Sequence, residues 1–273
     1  VPPLAADDVA ALRAASGLDW SAIDPSILGT LFERGLDPNQ RAQLGAHYTD
    51  PATILRLVEP VVQRPLLAEW AAVVPKIEAA LARSKRHGDK AWRDAQAAFA
   101  GFLERLRNYR VLDPACGSGN FLYLALKCLK DIEHQVNLEA EAMGLQRQHD
   151  MTGPHNVLGI ELNEYAAELA RVTVWIGELQ WRIQRGYPFK LNPVLEPLDH
   201  IECRDAILGF AEHRVAPNVG TPTPSLPRQA GEEPGRRVEA RWPAADAVVG
   251  NPPFVGVSRK RRELGDEYMR SLD

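Results

Sequence analysis

A short apolar strand that ends in an acid and a glycine turn is the feature that most restricts the fold of this chain. Val111-Leu112-Asp113 is followed at once by Pro-Ala-Cys-Gly-Ser-Gly119, and a long apolar helix begins near Phe121. A strand that turns directly into a helix returns to the same sheet through that helix, which gives parallel strands with helices on their faces. The motif therefore predicts an α/β fold.

Further short apolar runs alternate with helical sequence downstream of this turn. Residues 156–160 and 247–249 are such runs, Ile201 lies in a third that ends near Asp205, and residues 164–184 have helical periodicity. This alternation predicts a Rossmann-like parallel sheet with helices on both faces over residues 109–257. We expect the sheet to be incomplete in this chain, with residues 258–273 beginning a further part.

The residues before the sheet are predicted to be helical over 1–108. Asp50-Pro51 places an N-cap before a proline at the first helical position, and the apolar residues that follow have helical spacing. Residues 217–243 differ from the rest of the chain, with six prolines and three glycines and little apolar content. We expect that stretch to be a flexible loop inside the α/β core, because it cannot bury a core of its own.

Composition excludes several classes of protein. The 273 residues carry a net charge of −4, and the hydrophobic share of 45% is ordinary for a globular protein. Apolar runs are too short for a membrane span, and no leader is recognisable. Three scattered cysteines and seven histidines without ligand spacing predict neither a disulfide framework nor a metal site. A cytoplasmic protein is the expectation.

The turn after Asp113 can hold a ligand through its glycines and the helix that follows it. Ligands bind at the carboxyl ends of strands in open α/β sheets, and a helix N-terminus favours an anionic group. A dinucleotide motif would require a third glycine where Leu122 stands, and a P-loop would require Gly-Lys-Ser/Thr, which is absent. The acid suits a positively charged amine, so an amino-acid moiety fits both ends of the turn. A plain strand–helix turn is the alternative.

Two more acids follow later strands and indicate which ligand this is. Glu161 ends the second strand, where a carboxylate can accept both hydroxyls of a ribose. Asp205 ends the third strand, where it either accepts a bond from an adenine amino group or only caps the chain. Asp113, Glu161 and Asp205 in series match the methionine, ribose and adenine parts of S-adenosylmethionine.

Asn251-Pro-Pro-Phe254 follows the fourth strand and is the most specific feature of the sequence. Two prolines fix the backbone and leave their carbonyls free to accept hydrogen bonds. The Asn251 side-chain oxygen and the Pro252 carbonyl can together accept both hydrogens of an exocyclic amino group, which directs its lone pair at a methyl donor. Phe254 offers a ring face on which a planar base can stack.

Together these motifs resemble the class I S-adenosylmethionine-dependent DNA methyltransferases that modify the amino group of adenine. The resemblance covers about residues 40–257 and includes Gly45-Ala-His-Tyr-Thr-Asp-Pro51, which is similar to the family's N-terminal cofactor motif. It implies S-adenosyl-L-methionine as cofactor, no metal ion, and double-stranded DNA with an adenine flipped out as substrate. The cofactor-binding residues that it implies are Tyr48, Thr49, Asp113, Ala115, Gly117, Gly119, Glu161 and Asp205. The catalytic residues that it implies are Asn251, Pro252, Pro253 and Phe254.

The order of the motifs is similar to the gamma arrangement of that family. The N-terminal cofactor motif precedes the glycine turn, and DNA recognition in this arrangement lies downstream of the catalytic motif. The sequence ends 19 residues after Phe254, so we expect the later strands and a recognition domain to be missing, as in a piece of a single-chain restriction-modification enzyme. The N-terminal motif departs from the family pattern, which usually ends Tyr-Thr-Pro, because Asp50 stands between Thr49 and Pro51. Thr49 would contact the cofactor carboxylate.

Other functions remain open on these residues. An RNA base or a protein glutamine could be the substrate, since those methyltransferases also use Asn-Pro-Pro followed by an aromatic residue. A fragment that binds cofactor or DNA without turnover is a third alternative. Cytosine-C5 methylation is disfavoured, because it needs a nucleophilic cysteine after a proline and no cysteine of this chain follows one.

Overall fold

The computed structural model of the chain describes residues 5–17, 25, 27, 49–187, 196–210 and 237–252. Its helices are Ala6–Ser16 (α1), Pro51–Val58 (α2), Arg64–Leu81 (α3), Lys90–Asn108 (α4), Asn120–Ala142 (α5) and Glu164–Gln184 (α6). Its strands are Val111–Asp113 (β1), Val157–Glu161 (β2), Ile201–Cys203 (β3), Leu208–Phe210 (β4), Arg237–Glu239 (β5) and Ala247–Val248 (β6).

Four of the strands form one parallel sheet in the order β3-β2-β1-β6. Val111 of β1 is in register with Val157 of β2 on one side and with Ala247 of β6 on the other. The chain therefore moves outward in one direction from β1 to β3 and returns to the opposite side of β1 for β6. This confirms the predicted α/β fold, and it places the reversal of strand order between β1 and β6, where open sheets of this kind form a crevice.

The sequence predicts a separate helix from about Pro65, but the helix that starts at Pro51 runs through Pro60 and Pro65 without a break. A π-helical turn over Glu59–Gln63 joins α2 to α3, and the Arg64 N–H donates to the Glu59 carbonyl across it. Proline cannot donate its own backbone hydrogen bond, and a π turn shifts the bonding by one residue around it. The separate helix predicted to begin near Pro65 is therefore a continuation of the helix that starts at Pro51.

Helix α5 is the centre of the core. Its side chains are buried on several sides, because α2, α4 and α6 pack around it and β1 and β2 lie beneath it. The largest fully buried side chains of the helical region and α5 include Ile54, Leu66, Phe99, Leu103, Leu122, Leu126 and Ile132. Burial of each such side chain is worth about 1.5–3 kcal/mol. The N-terminal helices therefore pack against the sheet through α5, the helix that follows the glycine turn.

A buried carboxylate fixes the connection between α5 and β2. The Glu133 side chain accepts hydrogen bonds from the backbone N–H groups of Met151 (3.1 Å) and Thr152 (2.8 Å). Next to it, Lys130 forms a buried ion pair with Glu178 of α6 at 2.9 Å. Because backbone groups satisfy Glu133 and an opposite charge satisfies Lys130, the polar cluster holds the entry to β2 in place.

A small antiparallel hairpin precedes β6, and it shortens the loop that the sequence predicts before this strand. Strand β5 pairs with β4, and Phe210 is in register with Arg237. Residues 237–239 therefore belong to a strand, although the sequence predicted a loop over 217–243; residues 217–236 lie outside the described part of the chain. Asp246 then anchors the start of β6, because its carboxylate accepts from the Arg110 N–H at 2.8 Å and pairs with Arg105 at 2.7 Å.

Candidate cofactor and catalytic site

The glycine turn packs tightly between β2 and α6. The Cys116 N–H donates to the Ile160 carbonyl of β2 at 3.0 Å, and the Gly119 N–H closes the turn on the Cys116 carbonyl at 2.8 Å. Gly119 has φ +87°, and a Cβ there would lie 2.8 Å from the Cα of Ala170 in α6. Both the left-handed backbone and the contact with α6 require glycine, so the turn is held rigidly at the end of β1.

Asp113 is a buried carboxylate with one oxygen left without a partner. Its Oδ1 accepts from the Ala115 N–H at 3.0 Å, and within the described part of the chain Oδ2 accepts no hydrogen bond. Loss of hydration raises the pKa of Asp113 to about 7; the bond from Ala115 opposes this rise and the charge of Glu161 adds to it. A carboxylate oxygen without a partner is suited to accept a hydrogen bond from a ligand ammonium group.

The residue opposite Asp113 is small because there is no room for a side chain. A Cβ on Gly250, directly after Val249, would lie 2.5 Å from Asp113 Oδ1. The backbone that follows β6 therefore touches the carboxylate at the end of β1. Asp113 at the end of β1 therefore lies beside the start of the predicted catalytic motif.

Glu161 is held in one orientation by two backbone groups. Its Oε2 accepts from the Gly117 N–H at 2.9 Å, and its Oε1 accepts from the Asn163 N–H at 2.8 Å. Each carboxylate oxygen has a second lone pair, so both can accept a further hydrogen bond. The side chain is half-buried at the carboxyl end of β2. It is thus a preoriented pair of acceptors beside the glycine turn, as a ribose with two hydroxyls requires.

Asp205 starts the β4–β5 hairpin. It lies two residues beyond β3, and its Oδ1 accepts from the N–H groups of Ile207 (2.7 Å) and Leu208 (3.1 Å). This is the capping role that the sequence analysis kept as an alternative. Its contact with the adenine of a cofactor stays a prediction.

Thr49 and Asn251, which belong to the first and last predicted motifs, lie in contact. The Asn251 Nδ2 donates to the Thr49 Oγ1 at 3.2 Å, across 202 residues of sequence. Asn251 and Pro252 are exposed, and Thr49 is half-buried. Three further predicted site residues lie outside the described part of the chain: Tyr48, Pro253 and Phe254.

Asp50, the residue that departs from the family pattern, caps helix α2. Its side chain accepts from the Thr53 N–H at 3.0 Å and from the Thr53 hydroxyl at 2.5 Å, and Pro51 follows at the first helical position. The Thr53 hydroxyl contributes most to lowering the pKa of Asp50. The intervening acid therefore gives the helix a charged N-cap and leaves Thr49 just outside the helix, in contact with Asn251 of the predicted catalytic motif.

Two of the three cysteines lie where burial disfavours a thiolate. Cys116 and Cys128 are buried, and burial raises the pKa of both thiols, that of Cys128 to about 12. Cys203 is exposed at the end of β3. Across the described ranges, no group of three or more His, Cys, Asp or Glu side chains could bind a metal ion, and no helix is long and apolar enough to cross a membrane.

A four-stranded parallel sheet with a buried acid, a glycine turn and a second acid at successive strand ends defines a protein of the Rossmann-like methyltransferase class. Residues 89–272, more than half of the chain, match the family model of the MmeI DNA-methyltransferase domain, and the chain belongs to that family.

Two longer proteins are similar to the chain. It is 25% identical over 260 residues to DNA methyltransferase A of Bacillus subtilis (strain 168). That match covers 90% of this chain and 24% of the Bacillus protein. Among solved structures, the type IIL restriction-modification enzyme MmeI in complex with DNA has a TM-score of 0.54 and 29% identity. That match covers 71% of this chain and 25% of the MmeI chain. The chain thus spans about a quarter of the length of these relatives.

Proposed function

We propose that this chain is the methyltransferase part of a restriction-modification or other phage-defence enzyme, which transfers a methyl group from S-adenosylmethionine to the N6 amino group of adenine in DNA. The observation that carries the proposal is the close approach of Gly250, the residue before Asn251, to Asp113 at the end of β1: a Cβ on Gly250 would lie 2.5 Å from Asp113 Oδ1. The similarity to B. subtilis DNA methyltransferase A and to the DNA-bound MmeI enzyme supports DNA as the substrate.

The chain's own acids fit the cofactor. The unpaired Oδ2 of Asp113 would accept a hydrogen bond from the ammonium group, and the free lone pairs of Glu161 would accept the two ribose hydroxyls. The bound cofactor supplies an electrophilic methyl group on a positively charged sulfur. The carboxyl groups of Asp113 and Glu161 are acceptors at fixed positions, and the ionised form of Asp113 would favour a cation beside it.

The catalytic motif would act by orienting the target amine. The Asn251 Oδ1 and the Pro252 carbonyl accept its two hydrogens, so the lone pair of the nitrogen points at the methyl carbon. Held in this way, the nitrogen would take the methyl group that the cofactor supplies, would leave the cofactor as a neutral thioether, and would then release one proton to solvent. Phe254 occupies the aromatic position of the family's catalytic motif, and by that resemblance it would stack on the flipped adenine. A stable cysteine adduct is not needed.

Substitution of Asn251 tests this assignment. The test uses the longest natural chain that contains residues 1–273. In that protein, Asn251→Ala should change cofactor affinity by no more than about twofold. It should lower the rate of methyl transfer at least about a hundredfold, because one oriented transition-state contact is lost. Methyl transfer is measured with labelled cofactor on DNA, RNA and protein, and the labelled base is identified after digestion. Label in N6-methyladenine of DNA supports the proposal. Label in RNA, in a glutamine or in no acceptor at all would reject it.

A further inference from the structure

The hydrogen bond between Asn251 and Thr49 joins two segments that are each fixed independently. Thr49 directly precedes the Asp50 cap of α2, and α2 is anchored in the core by Ile54 and Val58, which are fully buried. On the other side, the Val249 N–H donates to the Leu112 carbonyl of β1 at 2.9 Å, two residues before Asn251. Because neither backbone is free to move away, the bond restrains the Asn251 side chain.

The direction of the bond decides which atom of the amide is left to accept a hydrogen bond. An asparagine amide has an acceptor oxygen and a donor NH₂ of nearly the same shape. An amine that must give away two hydrogens needs an acceptor, and a reversed amide would set donor against donor. With Nδ2 donating to Thr49 Oγ1, Oδ1 of Asn251 is the atom left to accept. Donation from Nδ2 also polarises the amide and makes Oδ1 the stronger acceptor.

We propose that Thr49 is a positioning residue for the catalytic amide: its hydroxyl holds Asn251 with Oδ1 directed at the target amino group. This inference rests on the proposed function and adds a role for Thr49 beyond the cofactor contact that the resemblance implies. A hydroxyl accepts and donates at once, so Thr49 can accept from Asn251 and still donate its own hydrogen to a cofactor carboxylate. One hydroxyl would then connect the cofactor pocket to the orientation of the catalytic side chain.

Two substitutions at Thr49 separate this role from simple packing. Thr49→Val keeps the shape and removes the hydroxyl, whereas Thr49→Ser keeps the hydroxyl and loses a methyl group. At saturating cofactor and DNA, Thr49→Val should lower kcat by roughly tenfold to a hundredfold, with little change in KM for DNA, and Thr49→Ser should keep kcat within about threefold. Thr53→Val is the matched control, because Thr53 lies on the same helix start and contacts Asp50 but not Asn251. It should leave kcat within about twofold.

A double substitution shows whether Thr49 acts through Asn251. In an Asn251→Ala background, Thr49 has no amide to hold. Adding Thr49→Val to that variant should therefore lower its activity little further. Equal losses from Thr49→Val in both backgrounds, or a Thr49→Ser variant as slow as Thr49→Val, would overturn the positioning role.

A measurement without turnover keeps this inference distinct from the proposed function. In protein labelled with ¹⁵N-asparagine, the Asn251 side-chain amide is assigned by its loss in Asn251→Ala. It should shift in Thr49→Val and stay in place in Thr53→Val. An amide signal that does not respond to Thr49→Val would refute the contact whatever the activity. If the signal responds and labelled methyl groups do not reach adenine in DNA, the proposed function fails while the contact itself stands.

Discussion

The affinity of the pocket for S-adenosylmethionine should depend on the protonation of Asp113. In the free protein, burial raises the pKa of this carboxyl to about 7, so about a tenth of the molecules carry the ionised form at pH 6 and about half at pH 7. A ligand ammonium group next to Oδ2 pairs with the ionised form and lowers the pKa in the complex. Binding therefore releases a proton, and affinity rises with pH until Asp113 is fully ionised.

The size of the effect follows from those fractions. Cofactor affinity should rise about fivefold between pH 6 and pH 7 and about tenfold between pH 5 and pH 6. Measurements belong below pH 7, because an α-amino group itself loses its proton near pH 8 and binding would weaken again. Asp113→Asn has nothing to titrate at this position. It should bind the cofactor more weakly than the native protein at pH 7, with an affinity that is nearly constant from pH 5.5 to 7.

Isothermal titration calorimetry measures both the affinity and the released proton. Titrations at pH 7 in two buffers of different ionisation enthalpy should give about half a proton released per cofactor bound, and about nine-tenths at pH 6. Asp113→Asn should release close to none. An affinity that is flat from pH 5.5 to 7 in the native protein, or proton release that survives in Asp113→Asn, would show that the Asp113 carboxylate is not the partner of the ammonium group.

Two other substitutions test the remaining parts of the pocket. Glu161→Ala should weaken cofactor binding by about 1–3 kcal/mol through the loss of the ribose acceptors, and an unchanged dissociation constant by calorimetry would contradict that role. Gly119→Ala should destabilise the fold, because its Cβ would lie 2.8 Å from the Ala170 Cα and φ is +87°. A thermal melt in which Gly119→Ala unfolds at the temperature of the native protein would show that the turn can move away from α6.

The parts of the fold that the sequence predicted are those set by local signals. Asp50-Pro51 marks a helix start by itself, and the run from Val111 to Gly119 contains its own strand, turn and helix N-terminus. The end of the predicted loop was misplaced for the opposite reason. Residues 237–239 have no strong strand pattern, and only their pairing with β4 makes them a strand. Pro65 indicated the start of a separate helix, and the core contacts of α2 and α3 outweigh that local preference.

In the candidate site, too, local sequence signals indicate some residues, and contacts between distant segments position the others. The sequence singles out Asp113 and Glu161 because each is the acid that ends an apolar strand. That Glu161 is oriented by Gly117 could not be foreseen, since it depends on how closely the turn approaches β2. The contact of Thr49 with Asn251 has no sequence signal at all, because two polar residues 202 positions apart meet only when the helical region packs on the sheet.

The pairing of β6 with β1 has a consequence for the order in which the chain is made. In the finished fold, Leu112 and Arg110 in and beside β1 accept hydrogen bonds from Val249 and Ala247. A ribosome that adds 5–20 residues per second needs roughly seven to twenty-seven seconds to go from one partner to the other. During that interval β1 has neighbours on one side only, and its other edge offers unpaired carbonyls to any strand nearby. The central strand of the mature sheet is thus an edge strand in the growing chain, so newly made protein should be most prone to wrong pairing, and most dependent on chaperones, until Asp246 and β6 arrive.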